Sequence, residues 1–140
     1  MNRKRAFWIA VLLYLATFIV GIGIAIFLGT DLTWEEPISK IHWIWSIMLS
    51  VLLAGLFSMW YFKDKKVKSC AAEGCYLGLT FFAVGIFFDL LFLIPYLLSG
   101  IGDASALVGH YKDIWFWVSV ILIVLTPVVV GGWSDLKKKK

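Results

Sequence analysis

Residues 77–98 read LGLTFFAVGIFFDLLFLIPYLL, an unbroken apolar run in which Asp89 is the only charged residue. A bilayer core of about 30 Å needs about 20 residues at about 1.5 Å rise each, so this run is long enough to cross one. A lone carboxylate inside such a helix is expensive and by default marks a polar site turned away from lipid. The fold and the functional question both start from this stretch.

Three further runs of the same kind flank it, and the predicted spans are residues 6–29, 41–62, 75–98 and 114–132. The 140 residues are 61% hydrophobic and 16% charged, whereas charged residues make up roughly a quarter of a soluble domain. The expectation is therefore all-α: a four-transmembrane-helix bundle forming a single membrane domain over 1–140, with no room for a soluble domain. Asn2-Arg3-Lys4-Arg5 could begin a signal peptide. The apolar core that follows is about twice the length of a signal h-region, and no A-x-A site comes after it, so a retained span is expected.

The basic residues predict the orientation. Arg3, Lys4 and Arg5, then Lys63, Lys65, Lys66 and Lys68, then Lys137 to Lys140 account for 11 of 13, all on one side after four crossings. The other two loops hold only Lys40 and Lys112 beside Asp31, Glu35, Glu36, Asp103 and Asp113. The positive-inside rule then places both termini in the cytoplasm, an N-in/C-in arrangement. The eight tryptophans fall at or near helix ends, as an interfacial aromatic belt requires. The net charge of +4 lines one membrane face and is no sign of nucleic acid. Lys137, Lys138, Lys139 and Lys140 suit anionic lipid headgroups, at about 1 kcal/mol per residue. In the first external loop, Pro37 invites a short interfacial helix. In the second, Asp103 could cap a turn over 104–108.

Projected at about 100° per residue, each helix carries a small or polar stripe. The first has Ala10, Tyr14, Thr17 and Gly21; the second has Ser46, Ser50, Ala54 and Ser58; the third has Gly74, Gly78, Gly85, Asp89 and Tyr96; the fourth has Ser119 and Thr126. Small residues let helices approach closely in lipid, so Gly21, Gly74, Gly78 and Gly85 are expected packing positions. A packed bundle accounts for nearly all of these residues. Asp89 remains over.

Asp89 lies 14 residues beyond Cys75, roughly 21 Å along the axis and past the midplane. No Lys or Arg is expected at its depth, so the acid should be neutral and bonded inside the bundle. Its expected partners are Tyr14, Thr17, Ser46, Ser50 or Ser119, or a carbonyl freed by Pro95 or Pro127, with Thr126 in the same polar set. Three roles stay open: a structural hydrogen-bonded acid, a proton- or cation-coupled transport site, and a contact with a partner subunit. Glu73 at the start of the third helix complements its dipole.

Other chemistry is sparse. Cys70 and Cys75 match neither a C-x-x-C redox pair nor common zinc spacings. His42 and His110 are expected at the opposite face from them, so no metal site is predicted. His110, Asp113, Asp103 and Glu35 could gather on the external side, but ordinary loop solvation explains them. No cofactor motif or catalytic signature appears, and no enzyme activity is expected.

Glu73-Gly74, Leu77-Gly78-Leu79, Asp89-Leu90-Leu91-Phe92-Leu93-Ile94-Pro95 and Tyr111-Lys112-Asp113-Ile114 resemble a group of small prokaryotic four-span membrane proteins. That group carries an E-G-x3-G start, a D-L-L-F-x-x-P third helix and a Y-x-D-I lead into the fourth. The resemblance covers the second half of the chain and implies the four-helix architecture without supplying a mechanism. The expected role is a small non-enzymatic component of a prokaryotic cytoplasmic membrane. It would be an accessory subunit or structural part of a membrane complex, or alternatively a small oligomeric proton- or cation-linked transporter or channel using Asp89. The expected partners are the lipid bilayer and either further copies of the chain or a larger complex.

Overall fold

The computed structural model describes residues 2–27, 40–64, 67–98 and 111–138. Among these it has four α-helices: α1 (Arg3–Phe27), α2 (Lys40–Phe62), α3 (Ala71–Leu98) and α4 (Ile114–Lys138). Each is long and apolar enough to cross a membrane. The segments around Pro37 and Asp103, with His110, Lys139 and Lys140, lie outside the described residues.

Three helix starts are chemically marked. Asn2 precedes α1, and its side-chain Oδ1 accepts the Arg5 backbone N–H at 3.3 Å, an N-cap that satisfies one donor of the open first turn. Asp113 does the same for α4, accepting the Trp115 N–H at 2.9 Å. At α3 the Gly74 N–H donates to the Cys70 carbonyl and the Glu73 N–H lies 3.4 Å from Cys70 Sγ. This lets α3 begin at Ala71 rather than at the expected Cys75, with Glu73 inside its first turn. The expected end of the fourth helix at Gly132 is also too early. Gly131 and Gly132 do not break α4, which runs six residues further to Lys138. In that extension Lys137 sits over the Trp133 ring, 4.1 Å from its centroid.

The packing forms a ring. α3 packs most extensively on α4, α4 on α2, α2 on α1, and α1 on α3, leaving α1/α4 and α2/α3 as the diagonals. The closest approach is between α3 and α4. A Cβ at Gly74 would collide with the Pro127 carbonyl, and one at Gly78 with the Val124 carbonyl. One at Gly131 would come within 2.6 Å of the Cys70 carbonyl. Backbone therefore lies on backbone along this seam, the arrangement small residues permit in lipid. The kinking residue Pro127 is itself fully buried there. Gly21 and Gly85 differ from the packing role expected of them: a Cβ at either would meet nothing within 4 Å.

The core lies toward one end. Ala6, Ile9, Ala10 and Leu13 of α1, Ala54, Tyr61 and Phe62 of α2, and Leu77, Phe81 and Val84 of α3 are buried together. All belong to the half of the bundle that carries Arg3, Lys4, Arg5, Lys63, Lys68 and Lys137, here termed the basic end. In the far half, Phe116 is the one buried hydrophobic residue among the described side chains. Phe18, Ile19, Leu90, Leu91 and Ile94 are exposed there.

Polar contacts tie the basic end together. Arg5 donates through Nη1 to Asp64 Oδ2 at 2.6 Å and through Nη2 to the Trp60 carbonyl at 2.8 Å, joining α1 to the end of α2. Tyr61 OH donates to Glu73 Oε1 at 2.6 Å, crossing from α2 to α3. Tyr61 is 1% and Glu73 8% exposed, so a buried acid is matched by a buried donor, as burial requires. Glu73 thus does more than complement the α3 dipole.

Candidate functional site

Asp89 stands 18 residues into α3, counting from Ala71 (89 − 71), past the middle of the helix and toward the far end. Tyr14 reaches it from α1, donating its hydroxyl proton to Asp89 Oδ1 at 3.0 Å. The Tyr14 ring stacks on Phe88, the residue next to Asp89, with centroids 4.8 Å apart. Stacking of this kind fixes the ring and so aims its hydroxyl.

A third polar group comes from the approach to α4. Burial, and after it the charge of Asp89, holds the Tyr111 phenol above its usual pKa, which places the two groups within electrostatic reach. Tyr111 packs edge-on against Phe116, 5.0 Å between centroids, and its carbonyl accepts the Trp117 indole N–H at 2.9 Å. The D-L-L-F-x-x-P and Y-x-D-I segments, far apart in sequence, each supply one of these two groups. Sequence reasoning missed Tyr111 as a site residue. The available signal was that it is a tyrosine just ahead of the last span, at the end of the bundle toward which Asp89 was placed.

Asp89 and Tyr14 border a partly open cavity of about 190 Å³ between the helices, whose lining does not include Tyr111. Tyr14 and Thr17 of α1, Ser50 of α2, Asp89 of α3 and Ser119 of α4 supply its polar lining. Phe81, Phe82, Phe116, Ile86 and Ile123 supply most of the rest, with Gly85 leaving space because it has no side chain. Ala10, Leu13 and Phe81 belong both to this lining and to the buried core. They form a closed floor toward the basic end.

The other expected members lie elsewhere. Ser46, one turn outward from Ser50 on α2, is absent from the lining. Thr126 sits in the basic half, where its Cγ2 would lie 3.7 Å from a Cβ on Gly55, at the α2/α4 seam. The hydroxyls also bond differently from expectation. Thr17 donates to the Leu13 carbonyl at 2.9 Å, Ser119 to the Phe116 carbonyl at 2.6 Å and Thr126 to the Leu122 carbonyl at 2.7 Å. Ser and Thr in apolar helices use this back-bond to satisfy a proton locally. Thr17 and Ser119 therefore border the site of Asp89 with their protons already committed.

Among the described residues no group of three or more His, Cys, Asp or Glu could hold a metal ion. Cys70 and Cys75 are free thiols near the start of α3. Compared with known proteins, the chain matches no family model, no curated protein and no solved structure.

Proposed function

We propose that this chain is a small non-enzymatic integral membrane protein with both termini in the cytoplasm of a prokaryotic cell. It would act as an accessory subunit or structural component of a larger membrane assembly. The observation that carries this reading is the closed basic half. Backbone-on-backbone contact at Gly74, Gly78 and Gly131 and a buried apolar core from Ala6 to Val84 pack the bundle tightly below Asp89 among the described residues. A component that must open alternately to both faces needs a seam that can part, and the α3/α4 seam interlocks. The distribution of Arg and Lys supports the orientation. Long apolar faces left exposed on all four helices support lipid on some sides and another subunit, or a second copy, on others.

The cavity beside Asp89 favours a second reading, a proton- or cation-linked transporter or channel, because such a protein needs a space reaching its intramembrane acid. Reconstitution in liposomes separates the two. Proton and monovalent-cation flux is followed for the wild type and for Asp89→Asn. The subunit reading expects no flux above protein-free vesicles from either protein. Flux in the wild type that Asp89→Asn abolishes would overturn it in favour of transport.

A further inference from the structure

We infer that the Asp89 cavity is a binding site for a small organic monocation, an amine or quaternary ammonium carrying an apolar body of about one ring. The inference concerns what the cavity holds and stands whether or not the chain conducts anything. Three features of the lining converge on this class. The first is how its hydroxyl protons are used. Tyr14 gives its proton to Asp89, Thr17 to the Leu13 carbonyl and Ser119 to the Phe116 carbonyl. What these three groups still offer an incoming molecule is lone pairs, so an anion or a neutral acceptor finds three of the four lining hydroxyls, all but Ser50, already spent.

The second feature is charge and π density. Asp89 is the one carboxyl side chain in the lining, which a bound cation would hold ionised, and Phe81, Phe82 and Phe116 add aromatic rings around it. A carboxylate flanked by aromatic rings is a surrounding that recognises ammonium groups. The third is size and wall chemistry. A cavity of about 150 Å³ holds a benzene ring, so about 190 Å³ takes a ring with a small cationic head. A hard metal ion is disfavoured, since calcium seeks 6–8 oxygen ligands and most of this wall is carbon.

The test uses benzylammonium as probe, titrated calorimetrically into the full-length protein in lipid nanodiscs. Ethylbenzene, its uncharged carbon isostere, and benzenesulfonate serve as competitors. Asp89→Asn keeps an oxygen acceptor for Tyr14 and removes the charge. Gly85→Leu fills the space without touching the charge, because a side chain there points into open volume. The expected result is saturable binding by the wild type, weakened about tenfold or more in Asp89→Asn and lost in Gly85→Leu, with neither competitor displacing the probe. The absence of saturable wild-type binding would overturn the inference. So would equal affinity in Asp89→Asn, or displacement by ethylbenzene, which would make the cavity merely apolar. Binding without flux supports both the cation site and the subunit reading; flux with binding overturns only the latter.

Discussion

Tyr14 and Tyr61 perform the same chemistry at two depths: each phenol donates to a carboxylate on α3, at Asp89 and at Glu73. Their surroundings differ, and so do the expected consequences of losing them. Tyr61 is fully buried, so Tyr61→Phe leaves Glu73 short of a donor where water cannot replace it. The expected loss is about 1–3 kcal/mol, read as a lowered melting temperature in detergent. Tyr14 is half-buried beside a cavity, and interhelical hydrogen bonds of this kind average nearer 0.6 kcal/mol. Asp89→Ala is therefore expected to lower stability by about 1 kcal/mol, with Asp89→Asn close to the wild type. The double variant Asp89→Ala/Tyr14→Phe should be no worse than Asp89→Ala alone, because both remove one bond. An unchanged melting temperature in Asp89→Ala would refute the role of this bond in holding the bundle.

At the scale of the helix, the small-residue stripes carried much of the information. The four-residue spacing of Ser50, Ala54 and Ser58 points the inner face of α2 correctly, and all three are buried. Gly74 and Gly78 mark the tightest seam. The stripe rule could not say how far along each helix contact continues, because that depends on where the neighbouring helices diverge. Gly21 and Gly85 continue their stripes but face open space. A paired substitution exposes the difference. Gly78→Ala forces a methyl onto the Val124 carbonyl and should cost about 1–3 kcal/mol. Gly85→Ala meets nothing and relieves backbone freedom, so stability should hold or rise by about 0.5–1 kcal/mol. Thermal melts of the two variants side by side decide it, and equal destabilisation would contradict the seam. The hydroxyl partners of Asp89 were illegible for another reason. Sequence spacing puts Thr17 and Ser119 on the right faces, yet it does not reveal that each bonds back to its own helix. Tyr111 lay outside every stripe, since it precedes its helix.

For the molecule as a whole, the polar ties and the buried core gather at the basic end among the described residues, while the far half holds the cavity and much exposed apolar surface. Arg5 is one of those ties, bridging α1 to Asp64 and the Trp60 carbonyl. Its ion pair is partly solvent-exposed, so Arg5→Ala should cost only about 1 kcal/mol, less than the loss of the Tyr61 donor. The architecture was visible from the length and charge of four apolar runs, which bilayer thickness constrains tightly. The asymmetry between the two ends was not, because it depends on which stripes interlock across helices. That asymmetry is the central claim: the buried core fills the basic end, and Asp89 is expected to be reached from the other. Its most direct test is cysteine accessibility at Thr17→Cys in a Cys70→Ala/Cys75→Ala background, using a membrane-impermeant sulfonated maleimide on intact cells and on inverted vesicles. The expected result is modification in intact cells, where the far end would face the reagent in the proposed orientation, and none in inverted vesicles. Modification from the basic face would contradict the account.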